Sequence, residues 1–227
     1  MAANTSHPNS PAPQLSTLLA PPPSQAPPLL IRPDAVGGTV AWNDLIRHQA
    51  IIPLVDNVAT SAHRTITPAL RAQALADYVA GSAVIAGPSA VWVYAGGPPP
   101  ALVHLVHPHG THRPEVWGAA EVRGAVGLHP DTIILGGIPV TSPLRTCADC
   151  AISQDIDAAV EAMVRLVAAT GISLDMAAFR MECRHRVQGR NRARLAFRQA
   201  AQALAATTTA TPPSVTTAAV TDSFSRL

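Results

Sequence analysis

Apolar residues at 156, 159, 160, 163, 164 and 167 form the 3.6-residue stripe of an amphipathic helix, so the pattern predicts a helix over 153–168. Ser173 follows as a helix cap, with Met176, Phe179, Cys183 and Val187 on one face and Gly189 as the stop. A last helix is predicted over 190–206, with Ala193, Phe197, Ala200 and Leu204 inward. Upstream the pattern changes to short apolar runs. Residues 83–86, 101–106, 115–123, 132–135 and 138–140 each suit a strand. Three helices are predicted among or before them. One covers 42–51, one opens at Thr67-Pro68 and runs to about Tyr78, and one covers 89–94 before Gly96-Gly97. Short strands in the middle and helices grouped at the end predict an α+β fold: a small mixed sheet with helices packed on it and a C-terminal helical segment.

Residues 1–33 are dense in Pro, Ser and Ala, with three consecutive prolines at Pro21–Pro23, and residues 207–227 begin in a Thr, Ala and Pro run. Such segments bury too little apolar surface to offset the entropy of ordering, so both are expected to be disordered tails. Between them, 34–63 is expected to be a reduced helical segment and 64–206 the main domain. The chain contains no internal repeat.

The most specific stretch is Gly136-Gly-Ile-Pro-Val-Thr-Ser-Pro-Leu-Arg-Thr-Cys-Ala-Asp149. A strand leads into a helix whose cap is Ser142 and whose first residue is Pro143, where a missing N–H costs nothing. Arg145 then falls in the first turn, where the helix dipole disfavours a cation. Asp149, four residues on, is placed to pair with it, and a charge set against its local preference implies a tertiary role. Gly137 to Thr146 followed by Asp149 resembles the core motif of actinobacterial AbiEi-type proteins, the antitoxin and transcriptional-regulator half of type IV toxin–antitoxin systems. The residues that carry it are Ser142, Pro143, Arg145, Thr146 and Asp149. Arg71-Ala-Gln-Ala-Leu-Ala and Ser89-Ala-Val-Trp92 extend the resemblance, which covers roughly 64–200. It implies a non-enzymatic protein that binds DNA or a nucleotidyltransferase-type toxin. Fuller relatives begin with a winged helix-turn-helix. Residues 34–66 stand in its place here, with Arg32, Arg47 and Arg64 as the nearby cations. Some long relatives end in a nuclease-like domain, whose start Thr221 to Leu227 resembles, so beside a short form of the family the second reading is a truncated, largely inactive remnant of a longer nuclease-bearing relative.

All 16 basic residues are arginine. The absence of lysine excludes a Walker phosphate loop, a Schiff base and a restriction-type nuclease lysine. The net charge is only +2, but residues 180–198 hold seven arginines and one acid, Glu182. Arg190, Arg194 and Arg198 recur at four-residue spacing on one helical face. With Arg184, Arg186 and Arg192 they are the candidate contacts for nucleic acid, through sequence-blind neutralisation of phosphates, or for an acidic partner.

Two further clusters invite chemistry. His104, His107, His109 and His112 raise a metalloenzyme as a third reading, although the spacing is irregular and a solvated loop is the plainer expectation. Cys147-Ala-Asp-Cys150 invites a redox or zinc reading, but both cysteines fall in the first turns of a helix with no second Cys-x-x-Cys, and core packing is expected. No catalytic residue, metal or cofactor is assigned. Three cysteines make no secreted disulfide framework, and no signal peptide or run of about eighteen apolar residues occurs, so a reducing cytoplasm and no membrane are expected.

Overall fold

The fold is described from a computed structural model, for residues 29–116, 118–184 and 188–209. It is α+β, as the pattern predicts. The elements in order are α1 (Thr39–Arg47), β1 (Ile51–Val55), β2 (Val58–Ser61), α2 (Pro68–Ala74), β3 (Val84–Ile85), α3 (Gly87–Ala95), β4 (Val103–Pro108), β5 (Ala120–Ala125), β6 (Thr132–Leu135), β7 (Ile138–Thr141), α4 (Pro143–Ser153), α5 (Ile156–Thr170), α6 (Leu174–Glu182) and α7 (Arg190–Thr209). Short 3-10 turns lie at Pro33–Val36, Ala76–Tyr78 and His129–Asp131.

Five strands form a mixed sheet in the order β5-β4-β3-β7-β6. β4 and β5 run parallel, as do β3 and β7, while β3–β4 and β6–β7 are antiparallel. β6 and β7 are joined by Gly136-Gly137, both at positive φ, which suits the tight turn of a two-residue hairpin. Helix α3 lies at the centre of the domain, and its Val91, Trp92 and Val93 are buried among Leu105, Met163 and Leu166. Arg71 of α2 reaches the C-terminal end of α3, its Nε donating to the Val93 carbonyl at 2.8 Å and its Nη2 to the Tyr94 carbonyl at 3.0 Å. A cation there satisfies last-turn carbonyls and meets the negative end of the helix dipole. Tyr94 Oη donates to the Thr141 carbonyl at 2.7 Å, tying α3 to β7.

The caps follow the sequence. Thr67, Ser142 and Ser173 each accept from the backbone N–H three residues on. Helix α5 begins at Ile156, where its apolar stripe begins, rather than at the predicted 153, because Asp155 caps it and Ser153 ends α4. Helix α6 ends at Glu182, ahead of the predicted stop at Gly189.

The amino-terminal region departs most from expectation. The helix predicted over 42–51 spans 39–47, and Ile51 instead begins a strand. Gln49 at φ 55° breaks the helix, and antiparallel pairing of β1 with β2 takes over. Residues 34–63 therefore hold a helix and a hairpin. Ile31, inside the expected tail, bridges Ala59. Most of both expected tails lies outside the described residues. Trp42, Ile51 and Ala59 make a small core of their own, while Leu54, Val55 and Val58 join the main one, so the hairpin is continuous with the domain behind it. Tyr78 Oη donates to Asp56 at the hairpin turn, and Arg32 pairs with Asp77 at 2.8 Å. The carboxylate of Asp56 as acceptor, then burial, push the Tyr78 phenol up to about 12.

Candidate functional site

Arg145 is 3% exposed and lies at the centre of an ion-pair chain that no local rule demands. Its Nε is 2.9 Å from both oxygens of Asp149, and its Nη1 is 3.3 Å from Asp131. The same Nη1 donates to the carbonyls of Val126 and Gly127. Each aspartate meets a second arginine, Arg180 of α6 on Asp131 at 2.7 Å and Arg184, just past the end of α6, on Asp149 at 2.9 Å. The sequence Arg180–Asp131–Arg145–Asp149–Arg184 is thus an alternating chain that ties α4, the loop before β6, and α6 together. A buried charge is tolerated only when paired and hydrogen-bonded, and Arg145 is both. Ser142 accepts from the Arg145 amide at 3.4 Å. Thr146 Oγ1 lies 2.8 Å from Thr141 Oγ1 and 2.9 Å from the Ser142 carbonyl, so the Thr of the motif fastens strand to helix. Ser142, Pro143, Arg145, Thr146 and Asp149 stand together at this β7–α4 junction.

The arginines of 180–198 are divided in their contacts. Arg184 belongs to the chain above. Arg190 is 3.9 Å from Glu182 and donates to the Arg184 carbonyl. Arg194 binds both oxygens of Glu182, at 2.6 and 2.9 Å, and this hydrogen bond holds the Glu182 carboxyl below its usual range while raising the Arg194 guanidinium. Arg192 donates to the Ile152 carbonyl at the end of α4. Arg198 is exposed. Arg186 lies outside the described residues. The spacing 190, 194, 198 does put these side chains beside α6, where Arg194 and Arg198 line a groove with Asp175 and Glu182.

The four histidines do not converge. His104 and His107 sit at positions of opposite parity on β4, so they occupy opposite faces of the sheet. His107 is buried, with Nδ1 3.2 Å from Thr111 Oγ1, and His109 and His112 are exposed in the following loop. Among the described residues no three His, Cys, Asp or Glu side chains are grouped to hold a metal. Cys147 and Cys150 are fully buried, and burial pushes the Cys147 thiol up to about 12 and Cys150 upward as well. Both are packed in the core as expected.

Two arrangements escape the sequence. The first is the outer face of α1. Trp42, Leu45 and Ile46 face the small core, and Val40, Asn43, Asp44 and Arg47 are exposed at helical spacing on the other side. Gly37 and Gly38, both at positive φ, join the preceding 3-10 turn to α1. The second is a cleft of about 760 Å³ beside the ion-pair chain. Its floor is one face of the β4–β5 ribbon, where the parallel register sets His104 beside Glu121 and Val106 beside Arg123. Arg145, Asp149 and Ile152 of α4, with Cys183 and Arg184, form a wall, and Gly87 and Pro88 at the start of α3 complete it. The hydrogen bond from Arg123 Nε, at 2.8 Å, holds the Glu121 carboxyl below its ordinary range.

No helix among the described residues is long and apolar enough to cross a membrane. No model of a known protein family matches the chain, and no curated protein matches it. Among solved structures, the chain is similar to that of the RV2827C protein from Mycobacterium tuberculosis, at 16% identity over 79% of this chain and 76% of that one, with a TM-score of 0.41.

Proposed function

We propose that this protein is a non-enzymatic regulator of the antitoxin kind that acts by binding, with duplex DNA as its first ligand. The observation that carries the reading is the order of elements over residues 31–61: a bridging strand residue, a 3-10 turn, a Gly-Gly turn, helix α1 and an antiparallel hairpin. Helix-turn-helix proteins enter a major groove with a second helix whose outer face is unburied, and α1, preceded here by only a four-residue 3-10 turn, offers such a face. Asn43 and Arg47 are residue types that make bidentate contacts to adenine and guanine edges, and Val40, 80% exposed, suits a thymine methyl. The arginine segment 184–198 supplies a sequence-blind contribution, since several of its guanidinium groups keep exposed surface beyond their internal partners.

The nearby docked groups qualify how the helix reads. Asp44 binds Arg47 in the free protein, so Arg47 exchanges an acidic partner for a base on binding. The hairpin turn is held by Tyr78, so recognition falls to the helix. The AbiEi-like motif adds a second proposed partner, a nucleotidyltransferase-type toxin.

The test is fluorescence anisotropy with duplexes tiled across the promoter region of the protein's own gene, at 50 and 200 mM salt. The expected result is one preferred duplex, a lost preference for Asn43→Ala and Arg47→Ala, and a smaller salt slope for the Arg190→Ala/Arg192→Ala/Arg194→Ala triple variant. Equal affinity of wild type and Arg47→Ala for every duplex overturns α1 as the reader. The absence of any retention at 50 mM salt overturns DNA binding.

A further inference from the structure

The cleft over β4–β5 is independent of α1, and its chemistry selects a ligand. Its volume of about 760 Å³ falls in the range of about 300–1,000 Å³ typical of small-molecule sites. Aliphatic side chains, Val106, Ala125 and Ile152 among them, share its lining with charged ones. Its carboxylates are already committed. Glu121 is bound by Arg123, and Asp131 and Asp149 are each bound by two arginines. Each of these carboxylates already has an arginine partner, which lowers its pull on a cationic ligand. The donors are in excess. A guanidinium carries five N–H groups, and Arg123, 59% exposed at its side chain, engages Glu121 through Nε alone. Arg184, 29% exposed, engages Asp149 through Nη1. The first turn of α3 opens on the same space without a side-chain cap, and its dipole favours negative charge.

A nucleotide is a poor match, because no Phe, Tyr or Trp among the described residues lines the cleft to stack on a base. We propose that the cleft binds a small organic acid, with its anionic group held between Arg123 and Arg184 and its apolar body against Val106, Ala125 and Ile152. Arginine pairs with such anions in a planar fork, and the aliphatic walls discriminate against small hydrophilic anions.

The probe is 8-anilinonaphthalene-1-sulfonate, an anion on an apolar frame, titrated into the full chain and followed by fluorescence, with octanoate, octanol and inorganic phosphate as competitors. Saturable one-to-one binding is expected, displaced by octanoate but not by octanol or phosphate at the same concentration. Arg123 is exposed and has only Glu121 as its charged partner, so Arg123→Glu leaves the fold intact and is expected to weaken the probe at least tenfold. Ser153→Trp, at the exposed rim, blocks the mouth sterically and is expected to do the same. Non-saturating binding, equal displacement by octanol, or unchanged affinity in both variants overturns the proposal.

Discussion

The Arg145 guanidinium lies against Asp149 one turn along the same helix, with Nε 2.9 Å from each carboxylate oxygen. In an exposed helix such a pair contributes only a few tenths of a kcal/mol. Here Arg145 is buried and also bound by Asp131 and two backbone carbonyls, so the pair is a joint among α4, α6 and the loop before β6 rather than a surface ornament.

Replacing Arg145 tests that joint. Arg145→Met leaves Asp131 and Asp149 with one arginine each and leaves two carbonyls without a donor. Breaking a buried pair from one side costs about 3–5 kcal/mol, and the remaining arginines place this case near the lower end, about 3 kcal/mol. Arg184→Gln removes a half-buried partner from an aspartate that keeps Arg145, and is expected to cost less than about 1 kcal/mol. Urea unfolding followed by far-UV circular dichroism measures both. Equal costs would show that the chain is not organised around Arg145.

The β7–α4 junction was legible because its signals are local. Ser142 and Pro143 fix the helix start, Arg145 and Asp149 lie four apart, and each is found in its expected role. The amino-terminal hairpin also carried a signal, since the two residues Asp56 and Asn57 separate β1 from β2 and Asp56 adopts φ 44°. That signal was masked by helix-compatible residues before it and by Pro53 within the first strand, and pairing with β2 decides the outcome. The partners of the arginines were illegible for a different reason. Asp131 is 49 residues from Arg180, and Ile152 is 40 from Arg192. His104, Glu121 and Arg123 share a face only through parallel pairing of β4 with β5, which no short-range periodicity encodes.

Gly136 is required for two separable reasons. Its φ is +57°, and a Cβ built on it would stand 2.9 Å from the Ala69 carbonyl oxygen and 2.9 Å from Gln73 Cγ. Helix α2 therefore packs directly on the β6–β7 turn, an approach strengthened by the Gln73 Nε2 bond to the Gly136 carbonyl at 3.1 Å. Gly137 has φ +85° but open space around it. Gly137→Ala is expected to cost the conformational penalty alone, about 1 kcal/mol, and Gly136→Ala about 1–2 kcal/mol more, because backbone has to move. Thermal melts of the two variants rank them, and a reversed order would refute the close approach.

The α6–α7 contact is acid-sensitive in a defined direction. Arg194 holds Glu182 below its usual range in the folded chain, so the unfolded chain binds the proton more readily. The contribution of this pair is present above the unfolded glutamate value of about 4.3 and is lost as pH falls through the lower folded value. Wild type is expected to melt above Glu182→Gln at pH 7, with the two converging near pH 3. A difference that persists undiminished at pH 3 would assign the effect to something other than ionisation.

The three thiols separate by environment, and their reactivity checks the placement of α4 in the core. Cys147 and Cys150 are each fully buried, and burial raises both thiols, Cys147 to about 12. Only thiolate attacks a disulfide reagent, so at pH 8 neither is reactive in the folded chain on two counts, access and ionisation. Cys183 is exposed. Titration of the native protein with 5,5′-dithiobis(2-nitrobenzoic acid) is expected to release one equivalent rapidly and the other two only in denaturant. Arg145→Met, by loosening the joint that holds α4 beneath α6, is expected to speed the slow pair by at least fivefold while leaving Cys183 unchanged. Rapid reaction of all three in the native wild type would remove α4 from the core and with it the role assigned to Arg145.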